Sequence, residues 1–265
     1  MVLPILLFVS KKNKFQRLYA FGLLITNSLL PKAAITTMCV LTFVPKGEQN
    51  FILTNNRDEA TAHPKAIPPQ AYQIGNTDVF MPKDALAGGT WIATSDNFTL
   101  CLLNGAFENH KHQPPYRQSR GTIIPAFFEK QNLNAFLEDF LFEGIENFTL
   151  IVIEHQSKLV LTEIRWDGER LFVAEKDAQK SHIWSSATLY NAQIRHEREQ
   201  WFEQLLHQYP AGISADVLLD FHQNGGNGDI QNDMRMNRNN TLMTQCIMQV
   251  VKQTNEIQYQ YVDFV

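Results

Sequence analysis

Cysteine is scarce in this 265-residue chain: Cys39, Cys101 and Cys246 are an odd number, far apart, with no CxxC pair. That excludes a disulfide framework and a zinc ribbon, and it fits a reducing compartment. Charge is sparse and nearly balanced, 23 basic against 27 acidic residues for a net charge of -4 and a pI near 6.1. Nothing here is the footprint of a nucleic-acid binder, so the expected partner is a small molecule or a protein. Long apolar runs are also missing. Val2–Val9 and Leu18–Leu30, the second broken by Gly22, Asn27 and Ser28, fall short of the roughly 18 to 20 unbroken residues of a spanning helix. No membrane span is expected. His110 and His112 flank Lys111 without a carboxylate or cysteine at ligand spacing, so neither a metal nor another cofactor is expected. Oligomeric state is not legible.

No Pro/Gly/Ser-rich linker divides the chain, and with 44% apolar residues it can bury a substantial core. Residues 38–265 read as a single domain. Residues 1–37 differ in composition, with Lys11, Lys12, Lys14 and Arg17 between their two apolar runs. Three readings stay open for them. They are an upstream extension absent from the mature protein if translation starts at Met38, a targeting or anchoring leader, or an extra helix. The first makes the protein cytoplasmic; the second makes it exported or membrane-tethered.

From Met38 the chain alternates in a way that predicts strands first, helices next and strands last. Cys39–Val44 and Asn50–Asn55, separated by Pro45 to Gln49, predict an antiparallel hairpin whose register sets Cys39 beside Asn55. Ala60–Gln73, with Pro64, Pro68 and Pro69, predicts a loop. Strands are expected at Trp91–Ser95, Phe98–Leu103, Phe148–Glu154, Lys158–Ile164, Arg170–Glu175, Gln245–Lys252 and Glu256–Phe264. Helices are expected at Arg120–Lys130, Leu133–Phe142, Tyr190–Gln208 and Asp216–Gln223, the last capped by Ser214. This order opposes alternating βαβ units and predicts an α+β fold, a four-layer α/β/β/α sandwich of about ten antiparallel strands.

The chemistry-bearing stretch is Met38 to Glu59. The hairpin carries Asn56, Arg57, Asp58 and Glu59 toward Cys39, joining a thiol to a cation and two carboxylates, a candidate catalytic corner. Plainer readings stand beside it: Cys39 as core, Arg57 in a structural ion pair, Asn104-Gly105 as an ordinary turn, and Gly88-Gly89 serving backbone geometry with Trp91 in the core.

Met38-Cys39, a hairpin leading into Asn56-Arg57-Asp58-Glu59, then Gly88-Gly89-Thr90-Trp91 and a strand ending in Asn104 together resemble the NRDE family, the homologues of the transport and Golgi organisation protein 2. The resemblance covers Met38 to Val265. It implies an N-terminal-nucleophile-hydrolase-like fold, similar to cysteine-dependent bile-salt and penicillin amidases, with Cys39 as nucleophile. In that pattern removal of Met38 frees an α-amine that serves as base, Asp58 holds the amine, and Arg57 favours thiolate. Asn104 is then an oxyanion donor, and Asn56, Glu59, Gly89, Thr90, Trp91 and Ser186 contact the ligand. Ser186 departs from the pattern, standing where many members have Asn. Two functions follow: hydrolysis of an amide or thioester bond in a small acyl substrate, or carriage of a lipid-like, acyl-thioester or haem-like ligand without catalysis.

Overall fold

The computed structural model describes residues 38–254 and 256–265, with side chains from Cys39 onward. The readings of residues 1–37 lie outside the described residues. Strands β1 (Met38–Pro45) and β2 (Phe51–Ala60) form the expected hairpin. Its turn is closed by Lys46 N–H donating to Asn50 O at 2.8 Å, with Gly47 at φ +82°. The register differs from expectation: Val44 pairs with Ile52, so Cys39 faces Arg57 rather than Asn55. A shift of two residues leaves every side chain on its face of the sheet, because the side-chain period is two.

Thirteen strands and four α-helices make up the described residues. One sheet runs β10 (His182–Ser185), β1, β2, β12 (Leu242–Gln253), β11 (Asn237–Arg238), with β13 (Glu256–Asp263) also on β12. The other runs β3 (Ile67–Ile74), β4 (Thr77–Lys83), β5 (Ile92–Thr94), β6 (Phe98–Asn104), β7 (Phe148–Glu154), β8 (Val160–Trp166), β9 (Leu171–Lys176). All their pairings are antiparallel.

Three apolar layers make this a four-layer sandwich. Odd residues of the hairpin, Leu41, Phe43, Phe51 and Leu53, meet Ile92, Leu103, Ile151 and Ile153 between the sheets. Even residues, Val40, Val44 and Ile52, meet Phe202, Leu218 and Phe221 of helices α3 (Ala192–Gln208) and α4 (Ala215–Asn224). Helices α1 (Ile123–Lys130) and α2 (Leu133–Asp139) lay Phe127, Phe128 and Phe136 on the other sheet's outer face. Each such fully buried side chain contributes about 1.5 to 3 kcal/mol of transfer free energy.

Strands β3, β4, β10 and β11 escape the sequence reading. Pro68 and Pro69, taken as loop signals, lie in β3 at the edge of its sheet, where a missing N–H costs no ladder bond; the β3–β4 register is irregular between Ile67 and Gln70. Helix α3 starts at Ala192 rather than Tyr190 because the Asn191 side chain accepts from Ile194 N–H at 2.9 Å. Ser214 caps α4 as expected, accepting from Val217 N–H. Among the described residues no helix is long and apolar enough to cross a membrane.

Candidate active site

Strand β2 lies between β1 and β12, and its register sets Cys39, Arg57 and Cys246 in one row across three strands. Cys39 and Cys246 both sit in the layer between the sheets. The Cys39 carbonyl accepts from Ser186 N–H at 2.9 Å, so the backbone polar groups of Cys39 face β10. Its pairing with Arg57 is therefore the close, non-hydrogen-bonded kind, with Cα atoms about 4.5 Å apart. Cys39 is 4% exposed, and burial pushes its thiol up to about 12. The Asp58 charge pushes the same way, while the Asn55 side chain and the Arg57 guanidinium pull back. With Met38 attached, the sulfur is a neutral thiol at physiological pH.

Arg57 is held on every side. It donates through Nη1 to Gln245 Oε1 and through Nη2 to Asp84 Oδ2 at 2.8 Å and Glu59 Oε2 at 3.2 Å, with its guanidinium 4.8 Å from the centre of the Trp91 ring. His63 Nε2 meets the same Asp84 oxygen at 2.8 Å. Burial raises Glu59 above the usual carboxylate range, although Arg57 pulls it down. Burial also acts upward on Asp84, but the Ala87 N–H, His63 and Arg57 outweigh it and hold that carboxyl low. Glu59, His63 and Asp84 bring ligand atoms within 4.8 Å of one another. A cation is nevertheless already in place, since the Arg57 guanidinium bridges both carboxylates, and a metal there would have to displace it.

Asn56 and Asp58 point to the opposite side of the sheet. Because β2 runs unbroken to Ala60, four consecutive residues must alternate: Arg57 and Glu59 face the other sheet, Asn56 and Asp58 face the helices. Thr244 Oγ1 donates to Asp58 Oδ1 at 2.6 Å and Tyr190 OH to Oδ2 at 2.9 Å. Burial lifts Asp58 to about 6 despite Arg198 and these donors. Asn56 is saturated: its Nδ2 donates to the carbonyls of His222 (3.0 Å) and Met234 (2.8 Å), and its Oδ1 meets His222 Nδ1 at 2.6 Å. The other ring nitrogen of His222 meets Thr42 Oγ1 at 2.7 Å.

These groups fix an acid response. Burial depresses His222 to about 3 and His155 to about 4, from an ordinary 6.5. Depressed histidines contribute stability that is complete above about pH 6.5 and is lost as pH falls through their folded values, because the unfolded chain takes up the protons. Asp58, raised from 3.8 to about 6, acts in the opposite sense, its contribution falling as pH rises from about 4 to 6. Glu59, also raised, acts with Asp58, but Asp84, Glu146 and Glu163 are held low and act with the two histidines, so the melting temperature should fall from pH 7 to pH 4. A melting temperature that holds level or climbs over that range contradicts these assignments.

Gly89 serves a backbone crossing. A Cβ there would lie 2.5 Å from the Gly121 carbonyl carbon, and Thr90 N–H donates to Gly121 O at 3.0 Å. Gly89→Ala is expected to cost about 1 to 3 kcal/mol, the range for forcing atoms into a packed site, measured by urea unfolding. An unchanged midpoint would show that the crossing is slack. Thr90 spends its hydroxyl on Ile92 O at 2.9 Å. Asn104 closes β6 and is 6% exposed, and its carbonyl accepts from Ser186 Oγ at 2.8 Å.

The structure thus brings Cys39, Arg57, Glu59 and Trp91 together between the sheets, joins Asn104 to Ser186 beside the Cys39 carbonyl, and sets Asn56 and Asp58 behind the sheet. His63, Asp84, Gln245, Tyr190 and Thr244 were missed by sequence reasoning. Each reaches the site through pairing or packing across long stretches of chain, and none carries a local signal.

Among solved structures, the penicillin V acylase from Agrobacterium tumefaciens is similar, with 6% identity over 85% of this chain and 86% of that one and a TM-score of 0.46. Among curated proteins no sequence matches. Residues 38–260 match the family described as Transport and Golgi organisation 2. The match takes in Cys39, the Asn56–Glu59 run, the Gly89 crossing and Asn104, and the chain belongs to the Transport and Golgi organisation 2 family.

Proposed function

We propose that this protein hydrolyses an amide or thioester bond in a small acyl substrate, with Cys39 as nucleophile once Cys39 is the first residue of the chain. The observation that carries the reading is the register that sets Cys39 against Arg57 and Met38 against Asp58. Cutting before Cys39 removes Met38 and leaves an α-amine with an ordinary pKa of about 7.7 to 8.0, able to take the proton of its own Sγ. The amine lies on the β10 side beside Ser186, while Arg57 favours the thiolate across the strand pair. Sγ then adds to the acyl carbonyl, and the ammonium returns its proton as the C–N or C–S bond breaks. An acyl thioester on Cys39 remains, and water hydrolyses it with the amine as base. Asn104 is the oxyanion donor, a contribution typically worth about 3 to 4 kcal/mol. Glu59, Gly89, Thr90, Trp91 and Ser186 frame the substrate, and Asn56 and Asp58 support them from behind the sheet.

A second reading, carriage of a lipid-like, acyl-thioester or haem-like ligand, is favoured by one observation: the buried thiol at about 12, inert while residues precede it. Turnover of a panel of acyl amides and thioesters separates the two. The chain beginning at Cys39 should turn over at least one of them, with the activity gone in Cys39→Ala and absent from the longer chain. Equal turnover by Cys39→Ala removes the nucleophile.

A further inference from the structure

We infer that the open edge of the sandwich, where β10 and α3 meet β7 and β8, binds the carboxylate group of a small organic acid between Arg165 and Arg195. A cavity of about 70 Å³ lies there, lined by Leu103, Thr149, Ile183, Trp184 and the two arginines. One water needs roughly 10 to 15 Å³ of such space, so the cavity accepts a group of several heavy atoms.

The arginines come from different elements, β8 and α3; both Nη atoms of Arg165 are committed, and Arg195 is tied down through Nη1. Arg165 donates through Nη1 to Ala106 O and through Nη2 to Glu163 Oε2 at 3.0 Å. Arg195 donates through Nη1 to Phe107 O at 2.8 Å. In both side chains Nε–H is shielded from solvent and has no hydrogen-bond partner among the described residues. Buried donors left unpaired are rare in native proteins, and two on guanidinium groups lining one cavity point to an acceptor with two oxygens.

The charge balance selects the acceptor. Glu163 offsets Arg165 and also accepts from Trp184 Nε1 at 2.7 Å, while Glu199 stands exposed on the lining beside Arg195. A site so nearly neutral matches a monoanion better than a phosphate dianion, and Leu103, Ile183 and Trp184 suit a short apolar tail. The carbonyls the arginines hold, Ala106 and Phe107, lie two and three residues beyond Asn104, so an occupied site stiffens that loop. None of this depends on Cys39 being a nucleophile.

Calorimetric titration of the full chain with sodium propionate, propionamide and inorganic phosphate tests the inference. Propionate should bind saturably at one site, at least tenfold tighter than propionamide or phosphate, and Arg195→Lys, which keeps the charge but lacks the Nε donor, should weaken it about tenfold without shifting the melting temperature. Propionamide equal to propionate, phosphate tighter than propionate, no saturable binding, or full affinity in a folded Arg195→Lys each overturns it. Should Arg195→Lys fail to fold, the three-ligand comparison on the wild-type chain decides alone.

Discussion

Replacing Arg57 by Met should cost the fold about 3 to 5 kcal/mol, the penalty for removing one member of a buried charge network. Met nearly matches the buried stem of Arg57 and keeps contact with Trp91, so the loss is electrostatic rather than a cavity. It leaves the fully buried Glu59 beside Asp84 without the guanidinium that bridges them, and leaves Gln245 Oε1 without its donor. Like charges at that distance cannot both stay ionised cheaply, and Glu59, already raised by burial, is the one that takes up a proton. The diagnostic is a double-mutant cycle by urea unfolding. Arg57→Met combined with Glu59→Gln should recover a good part of the loss, because the neutral amide no longer needs the cation. A loss under about 1 kcal/mol for the single variant, or strict additivity in the pair, would show that Arg57 is no keystone of the corner.

Thiol reactivity carries the other large expected effect. A thiol held at about 12 is ionised at pH 7.5 only to the extent of roughly three parts in 100,000. The proposed mechanism requires that a chain beginning at Cys39 has its sulfur open to solvent with the amine beside it. A return to the ordinary thiol value of about 8.5 raises the thiolate fraction about three-thousandfold. Alkylation of Cys39 by iodoacetamide, followed by mass spectrometry of native protein, should accelerate by about that factor in the shortened chain. Cys101 and Cys246, both buried, serve as internal references and should remain slow. Cys39 labelling at the same slow rate in both chains would leave the thiol as core and strengthen the carrier reading.

The architecture was legible because three signals agreed: alternation in the strands, 3.6-residue periodicity in the helices, and an order of elements that opposes crossover connections. What escaped had physical reasons. Strand β3 is mostly exposed and carries two prolines just after its first residue, Ile67, so it shows neither alternation nor an apolar face. Strand β10 is only four residues long and is recruited by β1 from far along the chain. The hairpin register missed by two residues because β1 runs on through Pro45 and β2 begins at Phe51, which moves a turn of the expected length one residue along the chain.

The site was legible in its chemistry and illegible in its wiring. Cys39 and Arg57 could be brought together from the hairpin alone. The split of Asn56 and Asp58 from Arg57 and Glu59 was also readable, once β2 is carried on to Ala60 and its alternation applied. By contrast Gln245 and Thr244 arrive through β12, whose ladder with β2 shifts register between Thr244 and Cys246, and Asp84 and His63 arrive through loops. Pairings over such sequence separations leave no trace in a local pattern.

A covalent bond to one sulfur decides whether Cys39 is the nucleophile. The chain beginning at Cys39, incubated with a slowly hydrolysed acyl thioester, quenched in acid and digested, should yield an N-terminal peptide heavier by the acyl group. That adduct should be lost when the amine is acetylated beforehand. An unmodified N-terminal peptide in samples quenched while the substrate is still being turned over, or an equal adduct with the amine blocked, would contradict it.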